Sequence, residues 1–169
     1  MKAHELMSAF PAVVTPETHL SKAAEAMRDR QVGLLPVVDD ERHMRLVGVI
    51  TDRDMTVRCL ALAHAGRCLV REHMTSASLE TARTDDDAGT VLDRMSRARV
   101  RRLPVVDHDG RVVGVIAQAD VVRRMSWERA RPRAPVHGAG ETRSDSVASF
   151  RFLRPEARQR AGPPPCAWR

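Results

Sequence analysis

The sequence predicts a mixed α/β fold of the α+β kind. Two copies of a strand–helix–strand–strand–helix unit are expected to pack as a pseudo-twofold pair, with a disordered basic tail behind them. Three observations carry this. The block Leu34-Leu35-Pro36-Val37-Val38-Asp39 returns as Arg102-Leu103-Pro104-Val105-Val106-Asp107, and Gly48-Val49-Ile50 with Asp54 returns as Gly114-Val115-Ile116 with Asp120, so one unit is present twice. Upstream of each block, apolar residues fall at i, i+3, i+4 and i+7: Leu20, Ala23, Ala24 and Met27, then Ala88, Val91, Leu92 and Met95. That is the signature of an amphipathic helix. From about Arg129 the periodicity stops, and six of the ten prolines and three of the nine glycines follow, a composition that favours disorder.

Each element can be read in order. Short leading strands are expected near Ala12–Val14 and Ser78–Thr81. Thr18 and Thr84 stand just before the helical stripes, where a hydroxyl can accept from the first-turn N–H groups; Asp85, Asp86 and Asp87 add favourable charge at the second helix start. Two apolar runs follow each helix, Leu35–Val38 with Leu46–Ile50, and Leu103–Val106 with Val112–Ile116. Polar turns separate the members of each pair, so they read as hairpins. A second helix is expected from about Asp52 to Ala63 and from Gln118 to Met125. Units this small hold too little core alone, so the two should close on each other. The expected boundaries are 7–65 for the first unit, 74–128 for the second and 129–169 for the tail.

Charge is distributed unevenly. Residues 1–128 carry 19 Lys+Arg and 19 Asp+Glu, whereas residues 129–169 carry 9 Arg and 3 acids, the whole net charge of +6. The folded part is therefore neutral. With 3% aromatics and no Tyr, it offers few platforms on which bases could stack, which argues against a dedicated nucleic-acid reader. The tail supplies at most weak, salt-sensitive contact with a polyanion. No N-terminal apolar stretch resembles a signal peptide or a membrane span. Cys59, Cys68 and Cys166 form no CxxC pair. A cytoplasmic setting is expected, with Cys59 and Cys68 as reduced, partly buried thiols and a disulfide between them as the alternative. His64 with Cys68 and Cys59 offers zinc-type donors, but the spacing matches no closed four-ligand pattern. A structural thiol and a surface histidine are expected instead, with no metal.

The two copies resemble a tandem pair of cystathionine β-synthase (CBS) domains, often called a Bateman module, in the arrangement of small stand-alone bacterial CBS proteins. The resemblance rests on Glu5-Leu6-Met7 and Glu72-His73-Met74, on the Leu-Pro-Val-Val-Asp strands, and on Gly48-Val49-Ile50-Thr51-Asp52-Arg53-Asp54. It covers roughly Met7 to Met125. It implies a non-catalytic regulatory module that binds AMP, ADP, ATP or S-adenosylmethionine between the copies and needs no cofactor. It also implies a homodimer and a client protein the sequence does not name. By that resemblance Thr51 and Asp54 face the ligand, with Ile50 and Arg53 beside them and Leu79, Glu80, Thr81, Val100 and Arg101 opposite. The chemistry is plausible: a carboxylate at a helix start accepts from both hydroxyls of a ribose, and a guanidinium holds phosphate. Arg97, Arg99, Arg101 and Arg102 form a basic run, and strand alternation sends Arg101 and Arg102 to opposite sides. In the second copy Asp120 remains but Ala117 replaces the hydroxyl, so an impaired second site is expected. Thr51 and Asp54 also have a purely structural role open to them, as cap and first-turn acid.

An enzyme is not expected, since there is no Gly-Lys-Ser/Thr phosphate loop, no GxSxG and no HExxH. A CBS pair that has lost its ligand and serves only dimerisation or docking is the serious alternative.

Overall fold

The computed structural model describes residues 1–62 and 68–130. The expected tail therefore lies, from residue 131 on, outside the described residues. The first repeat helix is α2 (Leu20–Arg30) and its counterpart is α4 (Ala88–Ala98). Each buries one stripe: Leu20, Ala23 and Met27, and Ala88, Val91 and Met95. Their starts differ from expectation. His19 is the N-cap of α2 and makes no side-chain cap bond, while the Thr18 hydroxyl accepts from the Thr15 N–H at 3.1 Å and closes the preceding turn. At α4 the cap is Asp87, whose Oδ1 accepts from the Thr90 N–H at 3.0 Å. Thr84 lies too early for that task and gives its carbonyl to the His4 N–H.

The Thr90 backbone and hydroxyl hydrogen bonds hold the Asp87 carboxyl below the usual aspartate range. A depressed folded-state pKa contributes stability that is present above the unfolded pKa and lost as pH falls through the folded one. Asp87→Asn is expected to flatten the acid limb of melting temperature against pH below about pH 4. Melts of the two proteins across that limb check it, and parallel limbs would count against the cap.

Strand β2 (Leu34–Val38) pairs antiparallel with β3 (Leu46–Thr51), and β5 (Arg102–Val106) with β6 (Val112–Ala117). The registers match: Leu35 faces Ile50 as Leu103 faces Ile116, and each hairpin shifts register at its last valine. On one flank β4 (Ala82–Arg83) runs parallel to β5, and Val14 bridges Val37 in the same sense. The second leading strand thus begins at Ala82 rather than within Ser78–Thr81.

The other flank shows an exchange. Strand β1 (Ser8–Ala9) pairs antiparallel with β6, and Thr75 bridges Val49 of β3. Each segment that leads into one copy completes the sheet of the other. Helix α1 (Ala3–Leu6), which precedes β1, also lies in the second copy, where Ala3 and Leu6 join the core of Val91, Met95, Leu103 and Ile116. Cys68 and Val70 join the first core with Leu35, Val37, Ile50 and Met55. The glycines of the Gly-Val-Ile strands permit the crossing. A Cβ on Gly48 would stand 2.9 Å from the Met74 sulfur, and the Met7 side chain occupies the same place over Gly114. The copies also meet directly where Arg45 bridges Arg111, with the Val112 N–H bonded to the Met44 carbonyl at 2.8 Å.

The second helix of each copy departs from a plain α-helix prediction in the first case only. Residues 52–62 form a short helical turn α3 (Asp52–Asp54), a π-helical turn Met55–Cys59 and a 3-10 turn Leu60–Leu62. The Leu60 N–H bonds both Met55 and Thr56 carbonyls, and the widened turn buries Met55 and Cys59 together. Helix α5 (Gln118–Ala130) runs past its expected end at Met125. Among the described residues no helix is long and apolar enough to cross a membrane.

Candidate functional site

Where β3 ends, the chain turns at Thr51 into α3, and that turn is closed by a reciprocal pair of side chains. The Thr51 hydroxyl accepts from the Asp54 N–H at 3.1 Å, while Asp54 Oδ2 accepts from the Thr51 N–H at 3.1 Å and from its O–H at 2.7 Å. This is a capping box with an aspartate as its acid. Asp54 Oδ1 points to Arg58 Nη2 at 3.4 Å, and the side chain is 15% exposed. Arg58 in turn donates to the His73 carbonyl at 2.9 Å and reaches the Thr75 hydroxyl at 3.4 Å. A carboxylate is therefore fixed at a helix start, with Oδ2 committed to Thr51 and Oδ1 facing the Arg58 guanidinium.

Beside it lies a cavity of about 660 Å³ between the copies, a size that suits a small ligand. Of the residues expected at a ligand, Thr51, Arg53 and Asp54 line it from the first copy, and Leu79, Glu80, Val100 and Arg101 from the second. Three expected residues fall elsewhere. Ile50 is fully buried in the first core, because alternation along β3 turns it away from its neighbour Thr51. Thr81 is not among the lining residues; its carbonyl accepts from the Arg94 guanidinium at 2.8 Å, which also pairs with Asp86. Asp120 sits at the start of α5 and pairs with Arg123 at 2.5 Å. Ala117 gives it no hydroxyl partner, so the box of the first copy has no counterpart in the second.

Asp52, Ser78, Arg99 and Arg102 also line the cavity and were not assigned there from sequence. Both Arg101 and Arg102 face it, against the alternation argument, because β5 begins only at Arg102 and Arg101 obeys no strand period. Gly33 makes room at the rim: a Cβ there would stand 2.7 Å from Asp52 Oδ2 and 3.3 Å from Arg102 Nη1. The basic run between 97 and 102 was the available signal for Arg99 and Arg102. Ser78, held at φ 52° in a left-handed turn, left none. The lining thus sets Asp52, Asp54 and Glu80 against Arg53, Arg99, Arg101 and Arg102, over apolar walls from Leu34, Val49, Leu79 and the 36% exposed Val100. Such a cleft can accept hydroxyl donors, hold an anion and cover a flat apolar ring in one place.

The family model for the CBS domain matches residues 3–59 and 70–126. An inosine-5'-monophosphate dehydrogenase of Streptococcus pyogenes serotype M3 is 34% identical over 120 residues, which are 71% of this chain and 23% of the dehydrogenase. The chain thus spans about a quarter of that relative's length. Among solved structures, the CBS domain pair of protein MJ0100 in complex with 5-methylthioadenosine and S-adenosyl-L-methionine is 29% identical, with a TM-score of 0.66 over 76% of this chain and 98% of that one. CBSX2 of Arabidopsis thaliana in complex with AMP is 28% identical, with a TM-score of 0.63 over 76% of this chain and 98% of that one.

Proposed function

This chain belongs to the CBS domain family, and from that membership we propose that it is a cytoplasmic, non-catalytic regulatory module binding an adenine nucleotide or S-adenosylmethionine in the cleft beside Asp54. One observation carries the reading: a single cavity joins the Thr51–Asp54 turn of the first copy to the arginines and Val100 of the second. The solved relatives bound to AMP and to S-adenosylmethionine support the ligand class. In this reading Asp54 Oδ1 accepts from the ribose hydroxyls and Arg101 with Arg102 holds the phosphates or the ligand's carboxylate. Val49, Leu79 and Val100 cover the base. A ligand gripped by both copies regulates through unequal affinity for two arrangements of them. The test is a thermal-shift titration with AMP, ADP, ATP and S-adenosylmethionine, in which a bound ligand raises the melting temperature with concentration.

A second reading, docking without ligand, is favoured by the Asp54 carboxylate already being engaged by Thr51. Absence of a shift with all four ligands would select it.

A homodimer belongs to both readings. Val57, Leu60 and Leu62 are 51%, 70% and 61% exposed on the first copy's second helical segment, and Val122 and Trp127 are 52% and 71% exposed on α5. Such apolar exposure on paired helices fits a second copy of the chain. Leu60→Glu is expected to convert dimer to monomer in sedimentation velocity without lowering the helical circular dichroism, and an unchanged sedimentation coefficient would remove this surface from the interface.

A further inference from the structure

Away from the cleft, three zinc-type donors converge. Cys59 ends the π-helical turn, Cys68 precedes the bridge of Leu69 to His19, and His73 follows the 3-10 turn Val70–Glu72. They are 4%, 8% and 5% exposed, and His73 is the buried polar residue among the described ones. Their donor atoms all lie within 4.8 Å of one another. The two sulfurs are 3.3 Å apart in an S–H···S contact. We propose that Cys59, Cys68 and His73 form a zinc site.

The geometry favours a metal over the simpler alternatives. Zinc–sulfur bonds of about 2.3 Å and zinc–nitrogen bonds of about 2.0 Å in a tetrahedron place sulfurs about 3.8 Å apart and sulfur and nitrogen about 3.6 Å apart. The thiols need to separate by only about half an ångström to reach this. A disulfide would instead draw them in to about 2.0 Å and would make no use of the imidazole. No carboxylate belongs to the cluster, so hard oxygen-seeking cations such as calcium and magnesium are poorly served. Charge is also balanced: two thiolates neutralise a divalent ion, so the loaded site can lie among Leu20, Met55 and Leu60 without an uncompensated charge. A cavity of about 180 Å³ lined by those residues opens onto both cysteines and gives an ion a way in. The remaining tetrahedral position is open to water or to another side chain; His64 lies outside the described residues.

The consequence is mechanical. Cys59 stands at the beginning, and Cys68 and His73 at the end, of the stretch that carries the chain from the first copy's second helix toward the second copy. A shared ion would pin that crossing further, adding to burial, the Arg58 bond to the His73 carbonyl and the backbone bonds that tie Cys68, Val70 and Thr75 to the first copy. This inference does not depend on the nucleotide reading.

The test uses the full chain, expressed with zinc in the medium and purified under reducing conditions without chelator. About one zinc per chain is expected by elemental analysis, falling to background in Cys59→Ser/Cys68→Ser and in His73→Ala. To remain independent of how those variants fold, the wild-type protein is stripped and titrated with cobalt(II). A thiolate-to-cobalt charge-transfer band and tetrahedral visible bands, displaced by added zinc, are expected. Reduced wild-type protein that takes up neither zinc nor cobalt would overturn the proposal. So would a well-folded cysteine double variant that keeps its zinc.

Discussion

Asp54→Ala is expected to abolish the rise in melting temperature that an adenosyl ligand produces, while Asp120→Ala preserves it. At a ligand concentration about a hundredfold above the dissociation constant that rise corresponds to about 2.7 kcal/mol, so its loss is large on the scale of the measurement. The asymmetry has a structural origin. Asp54 is held by Thr51 at 2.7 Å and faces the 660 Å³ cavity, whereas Asp120 follows Ala117 and is drawn to Arg123. Asp54→Ala also removes the acid of a capping box and should lower ligand-free stability by about 1 kcal/mol. Each variant is therefore compared with its own ligand-free melt. Asp54→Asn separates the two contributions, because it keeps an oxygen that can accept from Thr51 but brings no charge to the ribose hydroxyls. Equal loss in both alanine variants would overturn the asymmetry between the copies, and a full shift retained in Asp54→Ala would remove the carboxylate from the site.

Leu6→Ala is expected to destabilise the fold by about 2–5 kcal/mol, the range for deleting a buried leucine side chain, although Leu6 lies upstream of every repeated strand. Leu6 is 4% exposed and packs in the core of the second copy, carried there by α1 and by the pairing of Ser8 with Val115. Two backbone bonds hold it in place, from the Ala3 N–H to the Asp86 carbonyl at 2.8 Å and from the His4 N–H to the Thr84 carbonyl at 3.1 Å. Phe10, only four residues on, is 95% exposed, and Phe10→Ala should change stability by no more than about 0.5 kcal/mol. Urea denaturation of the two variants makes the comparison. Near-equal midpoints would mean that the leading segment does not dock as described.

Much of the architecture is legible in the sequence because it is encoded locally. The hairpins were marked by apolar runs around Asp39 and Asp107, and their registers agree residue for residue between copies. The helical stripes fell where the buried faces of α2 and α4 lie. Local signals failed where a choice between neighbours was needed. Thr18, Thr84 and Asp87 are all competent caps, and only the true first turn decides that Asp87 serves α4. Arg101 and Arg102 could be assigned to opposite faces only by assuming where β5 began. At the cleft, the expected Thr51, Arg53, Asp54, Leu79, Glu80, Val100 and Arg101 all line one cavity. Ile50 follows the period of its own strand into the core, and Thr81 stops short of the lining.

Repetition and periodicity suffice for the duplication, the order of the elements and the acid at the start of the first copy's second helical segment, since they need only neighbouring residues to be read. The folded chain adds that each leading segment crosses to the other copy, that Ser78 joins Glu80 in the cavity wall beside Asp54, and that Cys59, Cys68 and His73 meet. Those outcomes depend on which of two nearly equivalent sheet edges a strand joins. The two copies present almost the same apolar pattern at both edges, so the pattern carries no preference. The observed outcome rests on contacts between residues far apart in the chain, Met7 over Gly114 and Met74 over Gly48 among them, and no local period expresses such contacts.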